Sequence, residues 1–252
     1  MTPRINQGVA KAKWIKNKNL RFNKQRMRNK IEIIKEFAEK HLASDNDPAH
    51  NIEHVMRVYN LAVNLAQGEK IDLDIIKIAV LLHDIGGAKE MEDPSGKTDH
   101  ATESARLAKP FLIKLNLPKN KIEHILNCII SHRYRSKQKP KTLEAKIVFD
   151  ADKLETVGAI GIARVFVWTG KNNAHIYRKV DIKKYAKENL CGKINGRIQD
   201  KTKHSPQINW ETKDKYIVDY LYTKRAKQIA KKRIEFSKKF FLKLEQEIKG
   251  LE

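Results

Sequence analysis

A chain of 252 residues with 40% apolar and 33% charged residues can bury a sizeable core, as one large domain or two small ones. Its formal net charge of +22, the absence of any run near the roughly 18 apolar residues of a membrane span, and an N-terminus without an apolar leader argue against membrane insertion and secretion. The expectation is a cytoplasmic protein, with Cys128 and Cys191, which lack C-x-x-C spacing, as reduced thiols.

Taken in chain order, the elements are helical throughout. Residues 1–30 carry ten Lys or Arg and no acid, which predicts a mobile basic extension able to attract polyanions, nucleic acid among them. A first helix covers about Lys30 to Leu42. A second starts near Asp47-Pro48, an acidic N-cap with Pro at the first helical position, and runs to about Ala66. The third, IDLDIIKIAVLL, has almost no polar face in its later turns and ends at His83-Asp84, with Gly86-Gly87 as the stop. A fourth opens near Thr98-Asp99 and carries Pro110, where a missing N–H predicts a kink. A fifth follows Pro118 to about His132, and a sixth starts near Thr142 and leads into AIGIARVFVW. Residues 171–210 read as an irregular excursion, partly loop. Residues 211–250 read as a long amphipathic helix on the stripe Ala226, Ile229, Ala230, Phe240, Phe241, Leu244 and Ile248, with a dense cationic block from Lys224 to Lys239.

The chemistry gathers on inward faces. His54 shares a stripe with Val58, Leu61 and Leu65, whereas Glu53, Arg57, Asn60 and Asn64 mark the wet face. A single histidine so placed is commonly a hydrogen-bonded core residue, but it does not stand alone. His83-Asp84 closes the most apolar helix, and an ionised carboxylate there is costly unless paired or metal-bound. Asp150 and Asp152 in VFDADKLE also point inward, and periodicity alone does not choose between them. Two nitrogens and two carboxylates from three helices suit a borderline to hard divalent ion with positions left for water and substrate.

With those residues in view, the order His54, then HDIG at 83–86, then DADKLE at 150–155 resembles the HD-domain superfamily of metal-dependent phosphohydrolases. DHATESA (99–105), ISHR (130–133), GAIGIARVF (158–166) and the C-terminal AKKRIEFSKKFF extend the likeness to the bacterial branch that includes nucleotide pyrophosphohydrolases. The resemblance implies an all-α, HD-domain helical bundle, with the metal on His54, His83, Asp84 and Asp152 and with Asp150 behind the ligands. It implies Mn²⁺ as the ion, with Fe²⁺, Mg²⁺, Ni²⁺ and Zn²⁺ as alternatives. The implied reaction is hydrolysis of a nucleoside or deoxynucleoside triphosphate to monophosphate and pyrophosphate. His100 and His132 either contact substrate phosphate, the preferred reading, or complete a second metal site. Arg133, Arg57, Lys153 and Arg164 lie beside the motifs as candidate phosphate clamps. Glu155 stands where the family pattern has Asp.

Three other readings are expected to fail or to coexist with this one. An HD phosphatase or phosphodiesterase could act on another nucleotide. The basic segments could serve nucleic-acid binding on an HD scaffold, although only Trp14 and Phe22 offer aromatic stacking in the first 30 residues. HNIEH at 50–54 matches an inverted zinc-peptidase pattern but leaves His83-Asp84 without a role.

Overall fold

The computed structural model describes residues 7–42, 51–93, 95, 97–134 and 138–251, and from Gln25 onward with their side chains. Among the described residues there is no strand. Helix α1 (Gln7–Leu42) begins well before the expected Lys30, so the basic stretch from Gln7 is helical rather than a separate arm. Its C-terminal half packs Ile34, Ala38 and Leu42 into the core, and Lys30 donates to the Leu115 carbonyl at 2.6 Å. The expected start at Asp47-Pro48 lies outside the described residues; α2 (Ile52–Leu65) is capped by Asn51, whose side chain accepts from the backbone of Glu53 and His54.

Helix α3 (Leu73–Leu82) is central: every residue from Ile78 to Leu82 is buried, as its continuous apolar run requires. It meets α2, α1, α6 (Lys119–Ser131) and α7 (Leu143–Leu154). A short helix that the sequence pattern did not reveal, α4 (Gly87–Glu92), follows the HD turn, and α5 (His100–Lys114) is capped by Asp99 and retains Pro110 within it. Gly86 is required at that turn. A Cβ there would sit 2.6 Å from the Ser104 amide nitrogen and 2.8 Å from the His100 carbonyl oxygen, so only glycine lets α5 approach the end of α3.

The excursion is more ordered than its polarity suggested. After α8 (Gly158–Lys171), it contains α9 (Ile182–Asn189), a 3₁₀ turn at Lys201–Lys203 and α10 (Pro206–Thr212), around a small core of Tyr185, Ala186, Leu190 and Ile208. A second 3₁₀ segment, Asp214–Tyr220, precedes α11 (Lys224–Ile248), which therefore starts later than the expected residue 211. Its Ala226, Ala230 and Phe241 are buried, whereas Ile248 is exposed. Arg233 donates to the Leu154 carbonyl at 2.6 Å, so α11 caps the end of α7. No described helix is long and apolar enough to cross a membrane.

Candidate metal centre

Five helix positions deliver the polar side chains to one place. His54 lies in the first turn of α2 on its buried face; His83 and Asp84 leave the end of α3; His100 opens α5; His132 caps α6; and Asp152 lies in the last turn of α7. His54, His83 and His132 are buried, and His100 is partly open.

Each imidazole is oriented through Nδ1. His83 Nδ1 stands 2.7 Å from the Val80 carbonyl, His132 Nδ1 2.5 Å from the Ile129 carbonyl, and His54 Nδ1 2.8 Å from Glu155 Oε2, while His100 Nδ1 bonds Glu90. Since these oxygens accept, Nδ1 carries the proton on each ring, and the four Nε2 lone pairs point inward. They converge on two carboxylates. Asp84 divides its oxygens: Oδ2 lies 3.5 Å from His54 Nε2 and 3.3 Å from His83 Nε2, and Oδ1 lies 3.6 Å from His100 Nε2 and 3.5 Å from His132 Nε2. Asp152 Oδ1 lies 3.6 Å from His54 Nε2 and 4.0 Å from His83 Nε2.

The arrangement fits a divalent cation. His83 Nε2 is buried without a hydrogen-bond partner, and His100 Nε2 faces His132 Nε2 at 3.2 Å, a contact of two lone pairs that a cation relieves. Donor atoms each about 2 Å from one ion stand about 3 Å apart, close to the spacings seen. The groups His54–His83–Asp84, His83–His132–Asp152 and Asp84–His100–His132 could each hold an ion. Nitrogen and oxygen donors without cysteine suit an open, reactive site rather than a closed structural zinc.

The electrostatics agree. Burial pushes His83 down to about 4, against the attraction of Asp84. Burial would raise Asp84, but the surrounding imidazoles, His83 first, hold it well below the usual carboxylate range. Asp152 is lowered in the same way against its burial, chiefly by Lys153, whose Nζ is 2.5 Å from Asp152 Oδ2. Burial would lower His54 and His100, yet bonds to Asp84 and Glu155, and to Glu90, raise them.

The remaining expected residues fall around this centre with partners already in place. Arg57 Nε donates to Glu155 Oε1 at 2.7 Å and Arg164 Nη1 to Glu155 Oε2 at 3.2 Å; Arg133 donates to Asp99 at 2.5 Å and Glu90 at 2.6 Å. Asp150 does not stand behind the ligands: its carboxylate accepts from the backbone of Tyr222 and Thr223 and from the Thr223 hydroxyl, so it anchors the start of α11. Glu155, noted in the sequence only as standing where the family pattern has Asp, ties His54, Arg57 and Arg164 together. Glu90 went unrecognised in the sequence; it joins His100 to Arg133, and no spacing announces that partner.

Two chambers adjoin the centre. One of about 250 Å³ is lined by His100, Arg133, Lys153, Ile217, Tyr134 and Tyr220, among others. The other, about 580 Å³, shares Arg133, Tyr134 and Asn195 with it and adds Lys97, Lys193 and Arg197 beside Glu90 and Asp99, the two carboxylates that pair with Arg133. The excursion thus walls both.

Residues 51–157 match the family model of the HD domain. The chain is 26% identical to YpgQ of Bacillus subtilis over 215 residues, 84% of this chain and 90% of that protein. A crystal structure of YpgQ in complex with ADP superposes with a TM-score of 0.66 at 23% identity, covering 90% of this chain and 98% of the other. An HD-superfamily hydrolase of Bacillus thuringiensis superposes with a TM-score of 0.64 at 24% identity, covering 88% and 98%. A shorter stretch of 101 residues is 37% identical to ribonuclease Y of Malacoplasma penetrans, covering 40% of this chain and 19% of that one. The HD turn at 83–86 lies inside the matched region and the flanking histidines gather on its aspartate, so residues 51–157 are similar to an HD domain in both sequence and site geometry.

Proposed function

We propose that this protein is a metal-dependent phosphohydrolase that cleaves a nucleoside or deoxynucleoside triphosphate to monophosphate and pyrophosphate. The observation that carries the reading is the convergence of four inward Nε2 lone pairs on Asp84 and Asp152. A divalent ion bound there, Mn²⁺ foremost, would lower the pKa of a water molecule and offset charge on phosphoryl oxygens. His54, His83, Asp84 and Asp152 would hold it. In the net reaction the water oxygen bonds to the α-phosphorus, the bridging P–O bond to the β-phosphate breaks, and pyrophosphate leaves with that electron pair. Arg133, held by Glu90 and Asp99, and Lys153 stand at the chamber wall, where their cations can meet phosphoryl oxygens. Support for a nucleotide comes from the YpgQ complex with ADP.

His100 and His132 have two readings. As substrate contacts they face the phosphate beside Arg133; as ligands they complete a second ion position sharing Asp84, which their 3.2 Å approach favours. Metal analysis decides: two ions in the wild type and one in His100→Ala support the second position, and one ion in both supports phosphate contact. The match to ribonuclease Y favours a second activity class, a phosphodiesterase acting on RNA. Incubation with Mn²⁺ and triphosphates should yield equimolar monophosphate and pyrophosphate. Orthophosphate alone would move the assignment to a phosphatase, and cleavage of an RNA oligonucleotide with inert triphosphates would move it to the phosphodiesterase.

A further inference from the structure

The residues first considered as phosphate clamps already have carboxylate partners: Arg57 and Arg164 share Glu155, Arg133 pairs with Glu90 and Asp99, and Lys153 lies against Asp152. A polyphosphate carries more negative charge than these pairs leave uncompensated. Cations of another origin line the larger chamber. Lys97 precedes α5, and Lys193 and Arg197 come from the loop joining α9 to the first 3₁₀ turn; all three are exposed, and none takes part in an ion pair among the described residues.

That loop is built in place. Cys191 and Gly192 both adopt positive φ, 54° and 78°, which folds the chain back at once after α9. Gly196 closes the turn so tightly that a Cβ would lie 1.7 Å from the Leu190 carbonyl oxygen. Asn195 then fastens the loop to the HD core, donating through Nδ2 to the hydroxyl of Tyr134 at 2.9 Å and of Tyr220 at 3.3 Å. Tyr134 is the second residue after His132, and its ring meets Tyr220 edge-on at 4.5 Å. The anchor therefore sits between the two chambers, and Lys193 and Arg197 flank it on the side of the larger one.

We propose that Lys97, Lys193 and Arg197, positioned by the loop at 190–197, form a subsite for the β- and γ-phosphates of the substrate. The inference rests on the phosphohydrolase reading and deepens it. The smaller chamber, with its tyrosine pair and Ile217, takes the less polar end of the molecule; the larger, cationic chamber takes the departing pyrophosphate. Recognition at this loop makes the enzyme select for phosphate chain length. Removing one charge-assisted hydrogen bond of this kind weakens affinity by about tenfold or more.

Two measurements test the subsite. Equilibrium binding of inorganic tripolyphosphate, pyrophosphate and orthophosphate should strengthen with chain length in the wild type. In Lys193→Ala/Arg197→Ala that gradient should flatten by about tenfold or more, whereas Lys231→Ala/Lys232→Ala, an equal reduction of exposed charge on α11, should keep it. In turnover with Mn²⁺, the loop variant should lose more kcat/KM on a nucleoside triphosphate than on the single-phosphorus ester bis(p-nitrophenyl) phosphate. A gradient that survives in the loop variant, or flattens equally in the α11 variant, overturns the subsite. A wild type that hydrolyses no phosphate ester yet shows a loop-dependent gradient overturns the phosphohydrolase reading and leaves the subsite standing.

Discussion

At the residue scale the centre depends on groups that touch no ligand position directly. Glu155 is the clearest: a buried carboxylate, its pKa held down against burial by His54 and Arg57, that fixes the His54 tautomer and accepts from two guanidinium groups. Removing such a partner costs metal affinity about 10- to 100-fold. Glu155→Gln should therefore lower Mn²⁺ affinity by that order in a direct titration, and an unchanged affinity would mean that His54 needs no help in its orientation. Asp84→Ala should lose metal and turnover together, since it is the one residue whose two oxygens reach all four histidines; a full equivalent of metal in that variant would refute the assignment of the ligands. Asp214 lies outside the centre and behaves oppositely. Burial lifts its pKa from 3.8 to about 6, so ionising it in the fold costs stability that grows as the pH rises from about 4 to about 6 and is constant above. Asp214→Asn should raise the unfolding free energy from urea titration at pH 8 by on the order of 3 kcal/mol, and give no gain below about pH 4. A gain independent of pH would place its origin elsewhere.

At the scale of elements, the parts legible in the sequence are those whose signal lies within one helix. His54, His83, Asp84 and the pair Asp150 and Asp152 stand out because each is a polar group on an inward apolar face, where a buried charge without a partner is costly, and the preference for Asp152 comes from the family resemblance. Asp150 interrupts the same stripe and reads identically; only the arrival of Thr223, 73 residues later, shows that it faces the start of α11 instead. Glu90 hid in α4, a helix of six residues too short to show a period, and the excursion hid because its small core is assembled from residues spread over Tyr185 to Ile208. Close backbone packing is the other device that spacing only hints at. Gly86→Ala forces a Cβ against the α5 backbone, which cannot give as a side chain could. It should destabilise the fold by about 1–3 kcal/mol and weaken whatever His100 binds, read as a lower denaturation midpoint. An unshifted midpoint would show that α5 can slide at no cost.

At the scale of the whole molecule, charge and topology act together. Seven of the cations lie in residues 1–24. Deleting residues 1–24 should weaken binding to RNA or DNA. On duplex DNA the slope of log affinity against log salt should fall by about 0.9 for each phosphate that the shortened chain no longer neutralises. Equal slopes would show that these cations merely face solvent.

The clasp between α11 and α7 has a consequence for biosynthesis. Asp152 sits two residues before Leu154, whose carbonyl is capped by Arg233, and Asp150 in turn holds the chain at Thr223. A nascent polypeptide emerging from the ribosome therefore carries all four expected ligands long before it carries the clasp that steadies the last of them. The centre is therefore expected to reach full metal affinity only once α11 has docked on α7. A chain stopped at Leu221, with the other helices intact, is expected to bind Mn²⁺ weakly or not at all and to regain affinity when the missing segment is added back as a peptide.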